Sequence, residues 1–102
     1  CFDVSHSSLM CNHFGVDFYD FCQKIAPITG HLHLGDALGV NGEGLQIGDG
    51  AIDFKRLFGI LDELCPNASF IPEIWQGHKN GGEGFWVALD RLQKFQKKVL
   101  NV

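Results

Sequence analysis

Three times along this chain a short apolar run is followed by an amphipathic helical stripe, at a spacing of about 35 to 40 residues, and that repetition is the strongest constraint on its fold. The first run is Cys1 to His6, where Phe2 and Val4 alternate with Asp3 and Ser5 before Ser7-Ser8 breaks the pattern. The second is His31-Leu-His-Leu34, and the third is Ser69 to Trp75, apolar almost throughout. Pro72 lacks an N–H, so it is placed near the C-terminal end of that third strand. Between the runs lie the helices. Phe18, Phe21, Cys22 and Ile25 form one stripe, with Asp17 as N-cap and Pro27 closing a helix over Phe18 to Ala26. Phe54, Leu57, Phe58, Leu61 and Leu64 form the next, between Asp53 and Pro66. A last stripe runs through Phe85, Leu89, Leu92, Phe95 or Gln96, and Val99, with Arg91, Lys94, Lys97 and Lys98 facing solvent. Alternation of this kind predicts an α/β fold of parallel strands joined by helical crossovers.

One core is the most that 102 residues support, so residues 1–102 are read as a single domain. The abrupt start on an apolar strand leads us to expect part of a longer protein. A net charge of −4, with the basic residues clustered late at Lys94, Lys97 and Lys98, gives no support to nucleic-acid binding. No apolar run approaches the ~20 residues of a membrane span, and a cytoplasmic location is expected. Cys1, Cys11, Cys22 and Cys65 lack the close spacing of a zinc or redox motif and read as reduced, mostly buried thiols. The segment Gly35 to Gly50 carries six glycines. Its Gly42-x-Gly44 and Gly48 miss the dinucleotide-binding spacing, so a long mobile connection is expected there.

The chemistry gathers at the ends of the strands. Asp3 and His6 end the first, His33 the second and Glu73 the third, and in a sheet of βα units function collects at the carboxyl ends. Carboxylate, imidazole and carboxylate on one rim suit a divalent cation, Mn²⁺, Mg²⁺, Co²⁺ or Zn²⁺; the alternative is a hydrogen-bonded ladder of core polar groups.

Asp3-Val-Ser-His6, Gly30-His-Leu-His-Leu-Gly-Asp36, Gly48-Asp-Gly-Ala-Ile-Asp-Phe54 and Ile71-Pro-Glu-Ile74 together resemble the last three βα units of the xylose isomerase-like TIM barrels. That superfamily includes sugar isomerases, keto-sugar epimerases and endonuclease IV-type repair enzymes. The resemblance implies that Asp3, His33 and Glu73 are metal ligands and that His6 binds or polarises substrate. It implies no role for His31, and it implies a further carboxylate from an earlier strand, outside this chain. The nuclease's Asp-x-His step is replaced by Gly42, Glu43 and Gly44, which disfavours DNA repair. The expectation is therefore a metal-dependent sugar isomerase or epimerase working through an ene-diolate. Glu73 and His6 are then the catalytic groups, Glu43 contacts substrate from a lid, and Trp75 forms an apolar wall. The expected partners are a small-molecule sugar and either further copies of the chain or the remainder of the barrel. The rivals are a metal-dependent phosphodiesterase or endonuclease of the same superfamily and a non-catalytic barrel fragment.

Overall fold

The structure, a computed structural model, describes the backbone of residues 1–100 and the side chains of residues 1–95. The elements are β1 (Phe2–Asp3), α1 (Val4–Phe14), α2 (Phe18–Ile25), β2 (His31–Leu34), β3 (Asp36–Leu38), β4 (Gly42–Leu45), α3 (Phe54–Leu64), β5 (Ser69–Pro72) and α4 (Lys79–Leu100). A single 3-10 turn, Ala26–Ile28, extends α2. The strands β1, β2 and β5 form a parallel sheet in that order, and β3 with β4 forms a separate antiparallel hairpin. The parallel sheet is open, with β1 and β5 at its edges.

Register sorts the sheet into two faces. Phe2 pairs with Leu32 and Leu32 with Phe70, and these side chains enter the core beneath the helices together with Leu34. Asp3 pairs with His33 and His33 with Ile71, so polar groups occupy the opposite, more accessible face. The expected parallel α/β arrangement is thus observed, and it leaves the ligand-capable residues on one side.

Helices α2 and α3 follow directly from their sequence signals. Asp17 accepts the Asp20 N–H at 2.9 Å and Asp53 accepts that of Arg56 at 3.1 Å, each satisfying an orphan donor of the first turn. Phe54, Leu57, Phe58 and Leu61 are buried against α2 and α4. Asp53→Ala is expected to cost about 1 kcal/mol, read as a lower urea midpoint at unchanged slope. An unshifted midpoint would show that the cap contributes nothing.

Two expectations are corrected. The first strand ends at Asp3 rather than running to His6, because the Asp3 carboxylate accepts the His6 N–H at 2.9 Å and starts α1 there. The core-facing positions of α1 are Val4, Ser5, Ser8 and Cys11, small or polar enough that the helical period is faint in the sequence. Gly15 ends α1 at φ 69° in the left-handed region, where glycine carries no steric penalty. The second correction concerns Gly35 to Gly50, which is an organised hairpin and turn rather than a loose connection. Asp36 pairs with Leu45 and Leu38 with Gly42 across a bulge.

The third strand, expected over Ser69 to Trp75, is regular only to Pro72, which sits at its C-terminal end as anticipated. The backbone of Asn80, Gly81 and Gly82 has φ of 55°, 72° and 86°, so the regular part of α4 begins after Gly82. Ala88 and Leu92 are buried and Phe85 and Phe95 pack partly against the core. Gln96, Lys97, Lys98 and Val99, assigned above to this helix's faces, lie outside the described side chains. All four cysteines are free thiols, with Cys11, Cys22 and Cys65 buried. Burial, with smaller contributions from Cys11 and Asp17, pushes the Cys22 thiol up to about 12, which leaves it unreactive at neutral pH. Among the described residues no helix is long and apolar enough to cross a membrane.

Candidate metal centre

Asp3 at the end of β1, His33 within β2 and Glu73 just past β5 come from positions far apart in the chain, yet each offers a ligand atom within 4.8 Å of the other two. Parallel pairing is the reason. Asp3 lies beside His33, Ile71 lies on the other side of it, and Glu73, two residues beyond Ile71, returns to the same face. His33 Nδ1 is 2.8 Å from Glu73 Oε2 and 3.8 Å from Asp3 Oδ2. Ligands held at ~2.1 Å by one ion lie roughly 3.0–3.4 Å apart, so these spacings fall close to what a shared cation requires. The mix of one imidazole and two carboxylates fits a divalent ion, and side chains 27%, 30% and 53% exposed for Asp3, His33 and Glu73 leave room for water or substrate oxygens to complete its shell.

The end of β5 is drawn over the sheet by backbone contacts. Glu73 N–H donates to Leu34 O at 2.8 Å, and Trp75 N–H donates to Gly44 O at 2.8 Å on the hairpin. Gly35 permits this closure, since a Cβ there would stand 2.7 Å from the Glu73 carbonyl oxygen. The result is a cavity of about 330 Å³ bounded by Asp3, His6, Glu43, Glu73, Trp75 and Gln76, with Ser5, Gly35, Gly44 and Ile74 behind them.

In comparisons with protein-family models, with curated proteins and with solved structures, nothing matched this chain.

The expected site residues are brought together. His6 stands between two carboxylates, its Nδ1 3.0 Å from Asp3 Oδ2 and its Nε2 2.5 Å from Glu43 Oε2. Both ring nitrogens are thus engaged, and any influence of His6 on a ligand in this conformation passes through Glu43. The hydrogen bond to Asp3 raises the His6 pKa above its ordinary 6.5; burial opposes this, and the Asp3 charge and Glu43 add to the rise. Burial acts to raise the Asp3 carboxyl, but hydrogen bonds from the His6 backbone and ring, with the His6 charge, hold it below its usual value. Trp75 is 74% exposed at the mouth of the cavity. His31 shares a face with His33 but lies outside the cluster, its Nδ1 2.8 Å from Ser69 Oγ and its ring edge-on to that of His33.

Two residues to which the sequence assigned no role organise the site. Ser5 Oγ donates to Asp36 O at 3.0 Å and accepts the Gly44 N–H at 2.9 Å, fixing the hairpin to α1. The Asp36 carboxylate, fully buried, accepts the N–H groups of Ala37, Gly48, Gly50 and Ile52. A carboxylate directly ahead of a glycine-rich loop was the available signal, since Asp side chains readily gather nearby backbone donors.

Proposed function

We propose that this chain is three βα units from the carboxyl-terminal part of a xylose isomerase-like (βα)₈ barrel, and that its rim is the metal site of a sugar isomerase or epimerase. One observation carries the reading: Asp3, His33 and Glu73 end on one face, within 4.8 Å, from three neighbouring parallel strands. The strand order β1-β2-β5 repeats chain order, as adjacent staves of a barrel do.

A divalent ion held by those three side chains supplies positive charge to adjacent carbonyl and hydroxyl oxygens and acidifies the C–H between them. Glu73, whose Oε2 lies against His33, is the group that accepts the proton. His6 positions Glu43, whose other oxygen accepts a sugar hydroxyl. Trp75 offers an apolar wall beside the reacting carbons. Among the described residues bounding the cavity there is no Lys or Arg, which counts against the phosphodiesterase reading because phosphate contacts need such groups.

The test is calorimetric titration of the chain with Mn²⁺, followed by solvent deuterium incorporation next to the carbonyl of a ketose. One ion per chain is expected, with affinity about tenfold weaker in Glu73→Gln and exchange lost in that variant. No uptake of a divalent ion by the intact chain would overturn the proposal. The unpaired outer edges of β1 and β5 and the 46% exposure of Ile71 on the open sheet face favour a second reading, a non-catalytic piece of a larger barrel. Metal uptake without deuterium exchange is the outcome that supports it.

A further inference from the structure

We infer that His31 and His33 form a second metal site, suited to zinc, on the open face of the sheet below the rim, and that filling it takes His33 away from the rim ion. The site itself stands on the two imidazoles and their neighbours. Its competition with the rim ion rests on the proposal that Asp3, His33 and Glu73 hold a divalent cation.

Alternation along β2 turns Leu32 and Leu34 into the core and leaves both histidines half-buried on the polar side of the sheet. Their rings stand edge-on at 87° with centres 5.2 Å apart. Two imidazoles that each give one nitrogen at ~2.05 Å to a tetrahedral ion have ring centres roughly 5 Å apart, so the pair already has the separation such an ion imposes. The hydrogen bonds point the same way. The ionised Glu73 carboxylate can only accept, so His33 Nδ1, 2.8 Å from Glu73 Oε2, carries the ring proton and the lone pair is on Nε2. Ser69 Oγ, 2.8 Å from His31 Nδ1, accepts in the same way and leaves His31 Nε2 as the second lone pair. Each ring thus has Nδ1 fixed by an oxygen acceptor and Nε2 available, the arrangement in which metal-binding histidines are usually held.

Two imidazoles without a carboxylate favour Zn²⁺ over Mn²⁺ or Mg²⁺, which prefer oxygen ligands. Ile71, beside His33 and 46% exposed, leaves this face open to the waters that complete the shell. A neutral imidazole has one lone pair, so His33 cannot offer Nδ1 to the rim ion and Nε2 to zinc at the same time. Zinc between His31 and His33 therefore leaves the rim ion with Asp3 and Glu73 alone, and its affinity falls.

The test is calorimetric titration with Zn²⁺, carried out in Cys1→Ser throughout because the exposed Cys1 thiol can bind zinc in its own right. The double variant Asp3→Asn/Glu73→Gln keeps an acceptor beside His33 Nδ1 while removing both charges of the proposed rim site, and it is expected to take up one Zn²⁺ per chain. Adding His31→Gln is expected to weaken that uptake at least tenfold, and Ser69→Ala, which removes neither ligand, about tenfold, with circular dichroism showing that each variant keeps the fold. With the rim intact, Zn²⁺ is expected to raise the apparent Kd for Mn²⁺ about tenfold more when His31 is present than in His31→Gln. No Zn²⁺ uptake by the double variant, or uptake unmoved by His31→Gln, overturns the site. Displacement of Mn²⁺ to the same extent with and without His31 overturns the competition. A chain that takes up Zn²⁺ through His31 but takes up no Mn²⁺ supports this site while defeating the metal reading of the rim, so the two failures are told apart.

Discussion

Asp36→Ala is expected to destabilise the fold by about 3–5 kcal/mol, the largest effect of any single substitution outside the apolar core. Asp36 Oδ1 accepts from Ala37 at 2.8 Å and Ile52 at 3.1 Å, while Oδ2 accepts from Gly48 at 2.9 Å and Gly50 at 3.0 Å. Four backbone donors thus end on one side chain with no solvent exposure. Each donor left without a partner costs about 1–3 kcal/mol, reduced in sum because Gly48 sits at the surface and can turn to water. Asp36→Asn keeps one acceptor oxygen and sets an NH₂ against the remaining donors, so about 2–3 kcal/mol is expected for it. Small domains have total stabilities of only about 5–15 kcal/mol, so the alanine variant should be partly unfolded at ordinary temperature. Urea unfolding followed by circular dichroism measures this, and a loss under about 1 kcal/mol for Asp36→Ala would show that the loop holds itself.

Asp36 also marks the limit of what the sequence reveals. Helices α2 and α3 are legible because large apolar residues recur at helical spacing behind an aspartate cap, information carried within a dozen neighbouring positions. The cluster of Asp3, His33 and Glu73 is legible for a related reason. Period-2 strands with polar ends dictate which side chains share a rim, so Asp3, His33 and Glu73 can be named without coordinates. By contrast, α1 buries Ser5 and Ser8, whose hydroxyls and small volume mimic a turn when read along the chain. The shape of the hairpin depends on contacts made at a distance: Ser5 to Gly44, Gly44 to Trp75, and Asp36 to a turn up to sixteen residues on. No local pattern encodes these, because the donors are ordinary backbone N–H groups. Glu43 owes its place over the cavity to them, and its link to His6 was therefore invisible in the sequence although its nearness to the site was expected.

A change that touches none of the three clustered side chains tests how far the proposed metal centre depends on that backbone closure. Gly35→Ala is expected to cost about 1–3 kcal/mol of stability through overpacking and to weaken Mn²⁺ binding about 10–100-fold. The reason is steric rather than conformational. An alanine Cβ would lie 2.7 Å from the Glu73 carbonyl oxygen and 3.6 Å from Gly44 Cα, and both contacts are backbone atoms with no rotamer to change. The strand ends must separate by roughly half an ångström to restore ordinary contact, straining the bond from Glu73 N–H to Leu34 O and carrying the Glu73 carboxylate away from His33. Gly59 supplies the control. It sits on the exposed side of α3, where an added methyl group would meet nothing within 4 Å, so Gly59→Ala should leave Mn²⁺ affinity alone and stabilise the helix by about 0.5–1 kcal/mol. The same chemical change at two glycines is thus expected to act with opposite sign on stability, and only at Gly35 to alter the proposed Mn²⁺ binding. Equal Mn²⁺ affinity in the two variants would mean that Glu73 does not owe its position to the close approach of β2 and β5.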